Sequence, residues 1–142
     1  MNKYYTSTRN GSVQISAKQA IKKGFADDKG LFVYPDLEKL QVNFEKLLKL
    51  NYQDIARAVL TILLPDFSAD EIDESVHAAY QSSFDTQKIT PVVPVDNFHI
   101  LELFHGPTSA FKDVGLQLLP QLMKHVLVDN NKVMILTATS GD

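Results

Sequence analysis

The sequence predicts a chain of mixed class, α+β passing into α/β. Residues 1–94 read as a mostly helical N-terminal domain with short strands, and residues 95–142 as the start of a truncated parallel-sheet domain, one βαβ unit long. Two observations carry this. Apolar residues recur at helical spacing behind capping residues in the first region, and the second runs strand, helix, strand.

In chain order, Ser16 predicts a capped helix over 17–23, with Gly24 as its stop. Asp27-Asp28-Lys29-Gly30 reads as a turn. It leads into a short apolar run over 31–34, which Pro35 ends. Asn51 predicts the start of a helix over 52–64 with Ile55, Ala56, Val59, Ile62 and Leu63 on one face, and Pro65 closes it. Ser68 and Glu71 form a capping box for a helix to about residue 83, whose buried stripe holds Ile72, Val76, Ala79 and Tyr80.

The character changes near Pro91. Short strands are predicted over 91–95 and 100–104, then a Gly-Pro loop, then a helix over 111–128 with Leu118, Leu119, Leu122, Met123 and Val126 on its apolar face. Pro120 lies inside that pattern and predicts a kink. A buried-type strand is predicted over 132–136. One such unit leaves sheet edges uncovered, so the sequence reads as cut where the next helix should begin.

Composition excludes several classes of function. The chain has 142 residues, 44% hydrophobic and 22% charged, with a formal charge of −3 and no Lys/Arg-rich block. A nucleic-acid or anionic-membrane surface needs concentrated positive charge, so neither partner is expected. The longest apolar runs, over 58–64 and 133–136, are too short to span a bilayer. The chain has no cysteine, which excludes disulfides and thiolate metal sites, and a cytoplasmic setting is expected. The polar start, 1–10, shows no signal peptide.

Two motifs carry chemistry. The first is Leu-Glu-Leu-Phe-His-Gly-Pro-Thr-Ser-Ala-Phe-Lys-Asp over 101–113. Its Gly-Pro loop delivers Lys112 to the first turn of a helix, where the dipole disfavours a cation and Phe111 and Val114 would desolvate it. A neutral amine is what condensation with an aldehyde requires. Lys112 is also readable as a surface lysine snorkelling at a helix start, and one lysine does not decide between these. The second motif, Ala-Thr-Ser-Gly-Asp over 138–142, follows the last predicted strand. Helix N–H groups with the hydroxyls of Thr139 and Ser140 can bind an anion there, but on this motif alone a plain polar turn capped by Ser140 or Asp142 is the favoured reading.

Together these segments resemble the threonine synthase family of pyridoxal-phosphate enzymes, which share the tryptophan-synthase-β-like fold (fold type II). The resemblance covers essentially the whole chain in order. It includes Ser-Thr-Arg at 7–9 and Gly-Leu-Phe-Val-Tyr-Pro at 30–35. It implies that Lys112 holds the cofactor's aldehyde and, once released, moves protons. It implies that Thr139, Ser140 and Gly141 hold the substrate carboxylate, and that Asp142 lies near the cofactor's ring hydroxyl. The implied reaction converts O-phospho-L-homoserine and water to L-threonine and phosphate. The Gly-rich loop that cradles the cofactor phosphate in that family has no counterpart here, because the six glycines are scattered. The chain alone is therefore expected to be inactive, with pyridoxal phosphate absent or weakly bound.

A related pyridoxal-phosphate lyase, either a threonine dehydratase or a β-replacement enzyme, is the alternative within the same chemistry. The long helical lead before Lys112 argues against it. From another class, the chain could be a non-catalytic helical module that dimerises through an exposed strand edge. His77, His99, His105 and His125 lack metal-ligand spacing, and His105, beside the loop, could touch a ligand but is read first as a structural hydrogen-bonding residue. Asp66, Asp70, Glu71, Asp73 and Glu74 read as a solvated helix start. The aromatic residues are dispersed, as in a core.

Overall fold

Three side chains set the frame of the helical body. Ser16 and Gln19 close a reciprocal capping box at the start of α1 (Ala17–Lys23), and Ser68 and Glu71 do the same for α4 (Ala69–Tyr80). Asn51 caps α3 (Tyr52–Leu63) by accepting from the Asp54 N–H at 2.9 Å. Each cap satisfies N–H groups that the first helical turn leaves unpaired. Gly24 ends α1 at φ 80, a conformation that costs a side-chain-bearing residue. The computed structural model describes residues 4–127, 133–136 and 138.

Around this frame run β1 (Thr6–Ser7), β2 (Phe32–Val33), a 3₁₀ turn (Leu37–Lys39) and α2 (Phe44–Leu47). β1 and β2 pair antiparallel, Thr6 with Val33 and Ser7 with Phe32. The turn between α1 and β2 is closed by Asp28. Its carboxylate accepts from the Ser7 hydroxyl at 2.8 Å and from the Gly30 N–H at 2.8 Å. Those bonds hold the Asp28 carboxyl below the usual carboxylate range, the Gly30 N–H contributing most.

The core is apolar and built mainly from α4. Ile72, Val76, Ala79 and Tyr80 are buried along one stripe, as the spacing predicts. They meet Ala17, Leu64, Phe67 and Ile89, together with Leu122 and Val126 from the far end of the chain. The last two lie on α6 (Leu119–Val126), which packs against α1 and α4. One core thus takes residues from both sides of residue 94. Across it Lys18 of α1 bridges Glu71 of α4 at 2.6 Å, and the Tyr5 hydroxyl donates to the Leu63 carbonyl at 2.7 Å.

The mixed class agrees with the sequence reading, with three local differences. The strands β3 (Val92–Val95) and β4 (Phe98–Leu101) form one antiparallel hairpin, from Val92 opposite Leu101 to Val95 opposite Phe98. A two-residue loop suffices to join them, and Asp96 takes the positive φ of 51 that a tight hairpin turn demands. Second, the helix expected over 111–128 is two helices, α5 (Asp113–Leu116) and α6. Pro120 sits in the first turn of α6, where its missing N–H would be unpaired anyway, so it starts a helix instead of kinking one. Third, the described part of the expected last strand, 133–136, carries no strand, and the βαβ unit is therefore not closed. A buried strand needs a hydrogen-bonding neighbour and cover on both faces. Here Met134 is 84% and Leu136 87% exposed.

Candidate functional site

The loop that carries Lys112 is shaped by its neighbour, Asp113. Asp113 is 1% exposed. Its carboxylate accepts from the Thr108 N–H at 2.8 Å and from the Thr108 hydroxyl at 2.9 and 3.0 Å. That contact ties 108 to 113 and makes a closed ring of the loop. Gly106 makes it possible, since a side chain there would meet the Asp113 Cβ and come within 2.5 Å of its Oδ2. Ser109 completes the turn at φ 57, with its N–H on the Gly106 carbonyl at 3.0 Å. The fixed Gly-Pro-Thr-x-x-x-x-Asp spacing is thus a structural lock, which the sequence reading missed. Its signal was an aspartate five residues after a threonine in a glycine turn.

Lys112 itself stands at the N-cap position of α5 in helical conformation, just before the helix and not within its first turn as expected, and it is exposed. It lies on the rim of an open groove of about 710 Å³, lined also by Tyr52, Phe111, Val114 and Leu116. The groove is mostly apolar and carries two aromatic rings beside the amine. A primary amine at the edge of such a groove fits an aromatic aldehyde in chemical type.

Two further contacts fix the segment. The Tyr80 hydroxyl, reaching up from α4, donates to the Val114 carbonyl at 2.7 Å. Burial pushes the Tyr80 phenol far up, so it remains a donor. His105 lies between two carboxylates, Nδ1 at 2.6 Å from Asp85 and Nε2 at 2.7 Å from Glu102. The hydrogen bond to Glu102, then that to Asp85, raises the His105 pKa above the ordinary imidazole value. His105 therefore ties the chain before β3 to the chain after β4, a structural role as the sequence reading had it. His125 faces Glu74 at 3.8 Å, and the acidic run at α4 supplies Asp73 to Arg57 at 2.5 Å. Among the described residues no group of three or more His, Cys, Asp or Glu could hold a metal. No described helix is long and apolar enough to cross a membrane.

The remaining expected site residues, Thr139, Ser140, Gly141 and Asp142, lie outside the described residues. The structure thus describes only the lysine half of the expected site.

Comparison with known proteins adds the following. The family model described as threonine synthase N terminus matches residues 4–80. Threonine synthase of Schizosaccharomyces pombe is 37% identical over 97% of this chain. The chain spans 29% of the length of that relative. A crystal structure of pyridoxal-phosphate-bound threonine synthase from Brucella melitensis superposes with a TM-score of 0.79 at 34% identity, covering 89% of this chain and 28% of that one. The threonine synthase structure from Escherichia coli gives 0.74 at 29% identity, over 86% and 28% respectively.

Proposed function

The chain belongs to the threonine synthase family, and from that premise we propose that it serves the conversion of O-phospho-L-homoserine and water to L-threonine and phosphate, with pyridoxal phosphate attached at Lys112. The observation that carries this reading is the placement of Lys112. The family likeness runs through the segment that holds it, and that segment presents the amine at the rim of an apolar, aromatic-lined groove.

When bound, pyridoxal phosphate supplies an electron sink for carbanion chemistry. The chain's own residues do the positioning. Lys112 offers the amine that holds the aldehyde, and in its free form takes and returns protons. The Gly106–Thr108–Asp113 lock holds its backbone, and Tyr52 and Phe111 give an apolar flank. In this reading Thr139, Ser140 and Gly141 bind the substrate carboxylate and Asp142 sits by the ring hydroxyl. The setting is cytoplasmic. The hairpin edges, which pair with no further strand among the described residues, offer a route to a homodimer. Because the chain spans 29% of the length of its fission-yeast relative, we propose that it does not turn over substrate alone.

The test joins this chain to the remainder of the fission-yeast enzyme, in place of the matching stretch, and follows phosphate release from O-phospho-L-homoserine. Release that Lys112→Ala abolishes supports the reading. Release that survives Lys112→Ala would remove the lysine assignment. A hybrid that instead makes a keto acid from threonine would move the chain to the dehydratases.

A further inference from the structure

We propose that Asp113 is a positioning residue: through Thr108 it sets the backbone from which Lys112 presents its amine to the cofactor. This rests on the reading of Lys112 given above. The geometry is specific. A carboxylate is placed where an apolar side chain would be cheaper to bury, at 1% exposure, and it is supplied with donors from one residue, Thr108. A glycine at 106 is kept free of side chain to admit it. The ring so formed contains Lys112. On its other side Lys112 is held by its own carbonyl, which accepts from the N–H groups of Gly115 at 3.0 Å and Leu116 at 2.8 Å. The Lys112 backbone therefore has little freedom while the lock is shut. When it is open, Ser109 has no reason to keep its positive φ, and the loop relaxes.

The lock needs shape and hydrogen bonding, not charge as such. An amide at 113 can accept from the Thr108 N–H and donate to its hydroxyl, so Asp113→Asn should keep it shut. Asp113→Leu keeps the branching in a larger, apolar side chain and removes both bonds, and Thr108→Val removes one of them with its shape preserved. That ordering separates positioning from bulk stability, because leucine suits a buried site at least as well as asparagine does.

The experiment treats the whole 142-residue chain and its variants with pyridoxal phosphate, reduces with borohydride, and compares Lys112 labelling with that of Lys88 and Lys124 by peptide mass. Parallel samples are acetylated with trace acetic anhydride, which needs no cofactor. Expected is a Lys112 preference in the unaltered chain that falls about tenfold or more in Asp113→Leu, less in Thr108→Val, and stays within about twofold in Asp113→Asn. The proposal is overturned if Asp113→Leu labels as the unaltered chain does, or if Asp113→Asn falls as far as Asp113→Leu. Should pyridoxal phosphate show no preference for Lys112 in the unaltered chain, that matches the weak binding expected of this chain alone, and the cofactor reading is left to the hybrid enzyme. The acetylation ratios then decide the positioning role alone: the same ordering upholds it and equal ratios remove it. If Asp113→Leu does not fold, Thr108→Val against Thr108→Ser supplies the same contrast.

Discussion

Val76 on α4 is fully buried, whereas Phe98 on β4 is 73% exposed. The two stand for two regions held by different forces. The body of α1, α3, α4 and α6 is held by apolar burial, with caps at its helix starts. The segment from β3 to α5 buries almost nothing. Every β4 residue is exposed, and so are Phe104 and Phe111. Beyond the backbone pairing of its hairpin, what orders that segment is a few polar ties: Asp113 to Thr108, Tyr80 to Val114, and His105 to its two carboxylates. Burial is forgiving of detail and sums over many atoms, while a tie of this kind fixes one geometry and vanishes with one atom. The chemistry-bearing lysine sits on the second kind of support.

The largest effect should come from the body. Ile72→Ala, at a site 2% exposed, should lower stability by about 2–5 kcal/mol in a urea titration. A loss well below that range would mean that α4 is not the core element described. Next comes the tie between the regions. Tyr80→Phe leaves the Val114 carbonyl without its donor and should cost about 1–3 kcal/mol. Amide exchange should quicken at α5 more than at α3, and equal quickening would break the distinction. Ser68→Ala removes one half of the α4 capping box and should cost about 1 kcal/mol, with exchange at α5 unchanged.

The smallest effect is one of sign. Because the His105 pKa is raised in the fold, its contribution is complete below the ordinary imidazole value and is lost as pH climbs through the raised one. The Asp28 carboxyl is lowered, so its contribution is complete above the ordinary aspartate value and is lost as pH falls through the lowered one. Proton resonance titrations of the two residues, with amide exchange at 28–30 and 102–106, should show the first turn loosening in acid and the lysine segment in base. Both loosening on the same side would refute this pairing.

The helix starts were legible because capping is local: Ser16, Asn51 and Ser68 each act on a residue three positions on. The buried stripe of α4 followed from period alone. The hairpin was not read, because its pairing depends on Asp96 adopting a left-handed turn, and aspartate does so only in context. Pro120 was misplaced within its helix because proline tolerates the first turn and disrupts the interior, and spacing does not say which one it occupies. In the site, Lys112 stood out by its motif. Asp113 did not, since a buried carboxylate is recognisable only through its partners, and neither did Ile89, which is 1% exposed at φ 61. A β-branched residue accepts that conformation only where packing enforces it.

The return of α6 onto α1 and α4 makes everything from residue 90 to 117 an excursion with both ends pinned to one body. A nick anywhere along it would not release a half. A protease that cuts in the exposed hairpin should leave two pieces that show separately on a denaturing gel and yet elute together under native conditions, joined by Leu122 and Val126 in a core they share with Ile72 and Val76.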